Sequence, residues 1–163
     1  MIQLLRNGFV CLELDLPEPE PLDEESHRRR WVRDQKEAVI REIVRLFDQT
    51  GRVSNQSALF EDLWNREKRQ GTAIGDGIAI PHVRTLKVRQ ALLGFARCTR
   101  GVEFDAPDGK PVHLFFPIVG PPYEDRVYHR VYHALGELLQ SAEVRARLLH
   151  THDAGEVYRL LNV

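Results

Sequence analysis

The sequence predicts an α/β protein with a single domain, and three observations support this prediction. The chain has 163 residues, of which 42% are hydrophobic, and this is enough to bury a core within one domain. Apolar segments with the character of strands lie in the middle of the chain. Amphipathic helical segments precede them, and the last third is helical again. Strands interleaved with helices are typical of a layered α/β domain.

The first part of the chain should contain a strand and then a long exposed connection. Residues Phe9–Leu14 alternate between apolar and other side chains, as a strand does. A segment rich in proline and acidic residues follows, and residues 27–33 are strongly basic. We interpret residues 17–33 as an exposed insertion or linker, in which the basic side chains are solvated and pair with the acidic ones.

Two helices are predicted next. A helical period of apolar residues covers Asp34–Asp48, and Gly51 is well placed to end this helix. Ser54 and Asn55 are both good N-caps, so a second helix should start at one of them and end around Glu67.

The remaining elements are predicted from apolar runs and turn signals. Core strands are expected at Ile78–Ile80, Ala91–Cys98 and Val112–Ile118, with a turn at Asp108-Gly109. Three helices should follow, the first carrying Val127, Val131, Leu135, Leu138 and Leu139, the second over Glu143–Leu149, and the third starting at Asp153 and carrying Val157, Leu160 and Leu161.

Composition limits the functions to consider. The formal net charge is −1, which argues against nucleic acid as the main partner, although the cluster Arg28–Arg33 has the composition of a weak RNA contact. Cys11 and Cys98 lie in apolar runs and are expected to be reduced thiols. We see no signal peptide and no apolar run of the ~20 residues that span a bilayer. A cytoplasmic protein without direct membrane insertion is expected.

The segment Gly71–His82 is the most informative part of the chain. Gly75 and Gly77 permit a tight turn, and a short apolar strand follows them. Pro81 lacks an N–H and restricts its own backbone, so His82 should stand just beyond the end of that strand at a rigid position. Such backbone control indicates a functional imidazole.

The glycines do not match a nucleotide-binding loop. A P-loop needs lysine followed by serine or threonine after its second glycine, and this segment lacks that pair. The dinucleotide fingerprint needs a third glycine, where Ile80 stands instead. We therefore expect no organic cofactor.

Metal binding is also disfavoured. His129 and His133 have the i, i+4 spacing of a helical zinc pair, but Arg130 stands where a zincin has glutamate, and the chain has no Cys-x-x-Cys pair. A serine nucleophile would need a Gly-x-Ser-x-Gly elbow, which is missing as well. The remaining candidate is a histidine nucleophile that works without a metal.

A neutral imidazole can accept a phosphoryl group directly. One ring nitrogen must be accessible while the other is held by a hydrogen bond, and cationic donors must lie near the phosphoryl oxygens. His82 is our candidate nucleophile and Arg66 the candidate cationic donor. A second histidine beside the phosphate is expected, with His129 the first choice and His133 equally placed by spacing.

The stretch from Arg66 to His82 resembles the signature of the enzyme IIA domains of the bacterial phosphotransferase system. The branch is the fructose/mannitol type, which includes the nitrogen-regulatory IIA proteins. The matching residues, in order and spacing, are Arg66-Glu67, Thr72, Gly75-x-Gly77 and Ile78-Ala79-Ile80-Pro81-His82. The similarity covers roughly residues 9–161, so residues 1–163 are identified as one IIA-like domain. It implies a three-layer α/β/α sandwich with a mixed sheet.

The resemblance also implies an activity. In that family the histidine of the Pro–His pair accepts a phosphoryl group from the carrier protein HPr. It passes the group to a IIB domain or, in regulatory members, uses its phosphorylation state to control partner proteins. His82 would then be the phosphorylated nucleophile of a phosphotransferase, with Arg66 beside it.

The resemblance leaves the second histidine open. The family's second active-site histidine falls on the late helix, where Tyr128 aligns near the position and His129 follows it. The alternative hypothesis for the whole protein is a regulatory binding module that has the IIA fold but no turnover.

Overall fold

The computed structural model describes residues 1–22 and 27–162. Within these residues, seven strands form a mixed sheet with the order β2-β3-β6-β5-β7-β4, and β1 also pairs with β5. Strand β5 is antiparallel to β6 and β7, whereas β1–β5, β3–β6 and β4–β7 are parallel pairs. The strands are β1 Phe9–Cys11, β2 Ala73–Gly75, β3 Ile78–Ala79, β4 His82–Arg84, β5 Leu92–Val102, β6 Val112–Phe115 and β7 Ile118–Gly120.

Helices cover both faces of this sheet. They are α1 Ile2–Asn7, α2 Arg28–Asp48, α3 Gln56–Arg69, α4 Asp125–Leu138, α5 Ala142–His150 and α6 Ala154–Leu160. Apolar residues of α2 and α3 form one core with the sheet, and those of α1, α4, α5 and α6 form a second core on the other face. The expected three-layer α/β/α sandwich with a mixed sheet is therefore confirmed.

Strand β5 serves both cores because its side chains alternate between the two faces of the sheet. Leu92 and Ala96 point into the core of α2 and α3, whereas Leu93 and Phe95 point into the other one. All four are fully buried. Gly94 lies between them, where a Cβ atom would stand only 2.5 Å from Cζ of Phe9.

The predicted strand Val112–Ile118 is in fact two strands. Strand β6 ends at Phe115 and β7 starts at Ile118. Pro117 separates them because proline has no N–H for the ladder. The break lets β7 continue antiparallel to β5 on one side and pair in parallel with β4 on the other. This second pairing positions His82.

The N-terminal third differs most from the expectation. Helix α1 was not predicted, β1 ends at Cys11 instead of Leu14, and α2 already begins at Arg28. The basic cluster Arg28–Arg33 is therefore the first part of a helix, while residues 23–26 of the predicted insertion lie outside the described residues.

The proline-rich segment before α2 is exposed but is attached to the domain. The indole of Trp31 donates a hydrogen bond to the carbonyl of Glu20 (2.6 Å), and the guanidinium of Arg100 donates to that of Pro17 (2.7 Å). None of the helices in the described part of the chain has the length and apolarity needed to cross a membrane.

Other local predictions are confirmed. Asn55 caps α3, its side-chain oxygen accepting from the N–H of Ala58 at 2.9 Å. Residues Asp108-Gly109 form the expected turn, in which Gly109 has φ of +68°. Gly51 follows α2 with φ of +72°, a backbone conformation that favours glycine at the end of a helix.

Candidate functional site

His82 is the first residue of β4 and is fixed by the sheet. It pairs with Ile118 of β7, whose N–H donates to the carbonyl of Pro81 at 2.9 Å. The prediction that His82 stands beyond a strand end is therefore wrong in detail. Pro81 ends the β3 segment, and the parallel pairing resumes directly after it. The imidazole is half-buried.

The hydrogen bonds of the imidazole define its tautomer. Nδ1 lies 2.8 Å from the carbonyl oxygen of Ile80, which can only accept, so Nδ1 carries the proton. Nε2 lies 3.1 Å from Nη2 of Arg66, which can only donate, so Nε2 presents its lone pair. This is the neutral tautomer with a nucleophilic Nε2.

Burial is the main cause that lowers the pKa of His82 below its ordinary value, and the positive charges of Arg66 and Arg84 lower it as well. The bond to Ile80 and the charge of Glu67 act in the opposite direction. The imidazole is consequently neutral at physiological pH.

Arg66 reaches His82 from the last turn of α3. Its Nη1 donates to the carbonyl of Gln70 at 2.6 Å, which ties the side chain to the end of the helix. The neighbouring Glu67 is buried and accepts hydrogen bonds from the N–H and the hydroxyl of Thr72. Nζ of Lys36 lies 3.0 Å from Glu67 Oε1. The buried Lys36–Glu67–Thr72 cluster thus anchors the helix end that carries Arg66.

A second arginine lies close enough for its charge to lower the pKa of His82. Arg84, at the end of β4, forms an ion pair with Asp125 of α4, and its guanidinium lies 5.3 Å from the ring centre of Tyr128. Arg84 was not predicted from the sequence. A signal for it was available, because alternate residues of a strand point to the same face and Arg84 follows His82 by two positions.

Helix α4 presents tyrosines to the site. The hydroxyl of Tyr128 donates to the carbonyl of Val83, and the ring of Tyr132, one turn later, meets the ring of His82 edge-to-face with centroids 5.1 Å apart. Tyr132, like Arg84, is a site residue that was not predicted from the sequence.

The two predicted histidines of α4 lie on another side of the helix. The next residue on a helix is rotated by about 100°, which turns the side chains of His129 and His133 toward solvent, 77% and 75% exposed. His129 Nε2 is 3.7 Å from Asp125, and His133 Nδ1 is 3.4 Å from Glu137. The structure therefore brings His82 and Arg66 together. It leaves His129 and His133 on the exposed side of α4, where His129 lies near Asp125, the ion-pair partner of Arg84.

The arrangement can support one kind of chemistry in particular. It places an unprotonated imidazole nitrogen beside guanidinium groups in a half-buried position. Such a nitrogen can attack an electrophile, and the guanidinium groups can bind the anionic oxygens of that electrophile. Phosphoryl groups combine both properties.

Comparison with known proteins agrees with this geometry. Residues 21–163 match the family model described as phosphoenolpyruvate-dependent sugar phosphotransferase system, EIIA 2. The chain is 34% identical over 128 residues to the PTS system fructose-specific EIIABC component of Bacillus subtilis, covering 78% of this chain but only 20% of that protein. It is 34% identical over 126 residues to a fructose-specific EIIA component of Haloferax volcanii, covering 77% of this chain and 82% of that protein. It is 32% identical over 130 residues to a nitrogen regulatory protein of Bradyrhizobium diazoefficiens, covering 80% and 84%.

Solved structures show the same fold. The crystal structure of the nitrogen regulatory protein IIA-Ntr from Neisseria meningitidis matches with a TM-score of 0.78 and 28% identity, covering 98% of this chain and 97% of that one. In the complex of enzyme IIAMtl and phosphorylated enzyme IIBMtl from Escherichia coli, the matching chain has a TM-score of 0.66 and 27% identity, covering 78% of this chain and 87% of that one. The resemblance found in the sequence is confirmed, and the chain belongs to the EIIA 2 family of the phosphoenolpyruvate-dependent sugar phosphotransferase system.

Proposed function

We propose that this protein is a phosphohistidine carrier that accepts a phosphoryl group on Nε2 of His82 from an HPr-like phosphocarrier protein. The observation that carries the proposal is the hydrogen bonding of the imidazole, with Nδ1–H on the Ile80 carbonyl and the Nε2 lone pair facing Arg66 at 3.1 Å. A nucleophile held in the right tautomer needs no separate base.

The transfer conserves bonds and charge without a cofactor. The Nε2 lone pair forms a bond to phosphorus while the bond between phosphorus and the donor's nitrogen breaks, and the donor keeps that electron pair. The proton on Nδ1 stays in its bond to Ile80. Negative charge on the phosphoryl oxygens is then stabilised by Arg66, which leaves Nε2 for an oxygen, and by Arg84.

The onward step has two forms among the relatives, transfer to a IIB domain or control of a partner protein by the phosphorylation state. Similarity supports both forms, because the relatives include fructose-specific components at 34% identity and a nitrogen regulatory protein at 32%. In the regulatory form, we expect a target protein to distinguish the phosphorylated from the free form.

The test is phosphorylation of the purified protein. Incubation with phosphoenolpyruvate, enzyme I and HPr should give an acid-labile phosphate on the wild type and none on His82→Ala. His152→Ala is the matched control, because His152 is exposed and far along the chain from the site. His129→Ala and His133→Ala test the second histidine, and we expect both to accept the label.

Each result has a distinct meaning. A label on His82→Ala would refute the site, and a wild type that stays unlabelled with several HPr proteins would refute the carrier function. A target protein that is captured equally by wild type, His82→Ala and His82→Asp would instead indicate a binding module without turnover.

A further inference from the structure

The hydroxyl of Tyr132 has no hydrogen-bond partner in the part of the chain that the structure describes, although its oxygen is buried. Buried polar groups are almost always paired, and an unpaired one lowers stability. Tyr128, one turn earlier on the same face of α4, illustrates the usual case, since its hydroxyl donates to the carbonyl of Val83. The exception at Tyr132 therefore requires an explanation.

The unpaired hydroxyl belongs to the ring that packs on the nucleophile. The rings of Tyr132 and His82 meet edge-to-face at 5.1 Å. Burial raises the pKa of Tyr132, while the nearby charges of Arg66 and Arg84 act to lower it. The same two arginines act on His82. Tyr132 thus shares its surroundings with the two groups that we assign to phosphoryl binding, and its hydroxyl remains protonated.

We propose that Tyr132 is a further catalytic residue, whose hydroxyl donates a hydrogen bond to an oxygen of the phosphoryl group on His82. The inference rests on the proposed function of His82. Among the described residues the hydroxyl has no acceptor in the free protein, and the arriving phosphoryl group supplies one. An interaction made in the transition state and product but not in the free protein accelerates uptake.

A tyrosine suits this position chemically. A further cationic group next to the ring would lower the pKa of His82 again, as Arg66 and Arg84 already do, whereas a neutral hydroxyl can donate a hydrogen bond without adding charge. His129, which we expected to be the second group, projects to solvent and pairs with Asp125. Tyr132 occupies the place facing His82 instead.

The test compares the wild type with Tyr132→Phe, which removes one oxygen and keeps the ring against His82. Phosphoramidate serves as the donor probe, since it needs no partner protein. Its P–N bond breaks and ammonia leaves with the electron pair while Nε2 of His82 forms the new bond. We expect uptake to be slower by at least about tenfold, as for the loss of one donor to a developing oxyanion.

A second measurement separates this role from a structural one. Because Tyr132→Phe removes an unpaired buried hydroxyl, its urea midpoint should equal or exceed that of the wild type, whereas loss of a structural hydrogen bond would lower it. Tyr158→Phe, on α6, is the matched control and should take up phosphate at the wild-type rate. With HPr as donor, the maximal rate should fall and the KM for HPr should not change.

The outcomes distinguish the two proposals. If the wild type and Tyr132→Phe both take up the phosphoryl group, and at equal rates, the role of Tyr132 is overturned and the carrier function is left intact. A lower urea midpoint with a proportionate loss of labelled protein would also overturn it, in favour of a structural hydroxyl. A wild type that phosphoramidate and HPr both fail to label overturns the carrier function and this inference together.

Discussion

At the scale of single residues, the site depends on which nitrogen of His82 carries a proton. The Ile80 carbonyl selects the Nδ1–H tautomer, and burial together with the neighbouring arginines keeps the ring neutral. A proton on Nε2 would occupy the lone pair that we propose for attack on phosphorus. Reactivity and pKa are therefore linked at this residue.

This linkage gives a prediction for pH. The NMR titration of His82 should have its midpoint below the ordinary histidine value of about 6.5, and phosphoryl uptake should be constant above that midpoint and fall as Nε2 is protonated. Arg66→Gln removes a positive charge that lowers the pKa, so the midpoint should rise.

Arg69→Gln, on the same helix end, is the control and should leave the midpoint where it is. An Arg66→Gln midpoint equal to that of the wild type would contradict the electrostatic coupling.

The lowered pKa of His82 also makes the free energy of unfolding depend on pH. Since the unfolded chain binds this proton at higher pH than the folded one, the contribution of His82 to the free energy of unfolding is lost as pH falls below about 6.5.

At the scale of elements, the end of α3 must stay fixed for Arg66 to reach His82. The Lys36–Glu67–Thr72 cluster does this by linking α2, α3 and the segment before β2. Its side chains are almost fully buried, 9% exposed for Lys36 and 1% for Glu67. Removing one partner of such a buried ion pair is strongly destabilising, because the other charge stays buried without compensation.

Glu67→Gln should therefore lower the free energy of unfolding by about 3 kcal/mol, because it leaves the ammonium of Lys36 buried with Asp105 as its remaining carboxylate, at 3.4 Å. The measurement is urea denaturation followed by circular dichroism. The double variant Lys36→Met/Glu67→Gln should recover part of the loss, since no uncompensated charge remains. Glu61→Gln, exposed on the same helix, is the control. A loss as small as that of the control would contradict the role of the cluster.

Elements also show how far the sequence leads. The stretch Arg66–His82 is distinctive enough to single out His82 and Arg66 as candidate site residues, and the periodic helices and apolar strands predict the layered fold. Helix α4 is ambiguous, because Tyr128/Tyr132 and His129/His133 both have i, i+4 spacing. Which pair faces the sheet depends on the rotation of the helix against the second core, where Tyr128, Val131 and Leu135 are buried. A motif contains no information on that rotation.

The strand break at Pro117, in contrast, was predictable from the sequence, because proline lacks the N–H that a strand needs for pairing.

At the scale of the whole molecule, two cores share a single sheet, so the central strand β5 must fit both at once. Gly94 is one of the tight points of this fit. A Cβ atom there would lie 2.5 Å from Cζ of Phe9 and 2.9 Å from Cγ of Pro117. The ring of Phe9 in turn contacts Phe47 of α2 edge-to-face, with centroids 4.8 Å apart.

Gly94→Ala should therefore lower the free energy of unfolding by about 1–3 kcal/mol, as overpacked cores do. Gly136→Ala is the matched comparison, since Gly136 is exposed on α4 and an added Cβ meets nothing within 4 Å. It should raise stability by about 0.5–1 kcal/mol through the better helix propensity of alanine. Chemical denaturation of both variants tests the pair. If both substitutions changed the free energy of unfolding in the same direction, this account of packing would be contradicted.

The parallel pairing of β4 with β7 has a consequence for how a partner would recognise the protein. His82 pairs with Ile118, and its ring is hydrogen-bonded to the carbonyl of Ile80. The carbonyl of Val83 accepts a hydrogen bond from Tyr128 of α4. A backbone fixed on three sides has little freedom to rearrange when the ring is modified. The phosphorylated and free proteins would then have the same backbone conformation and differ in the negative charge at His82. A partner that distinguishes the two forms must respond to that charge, so the difference between its affinities for them should decrease as ionic strength rises.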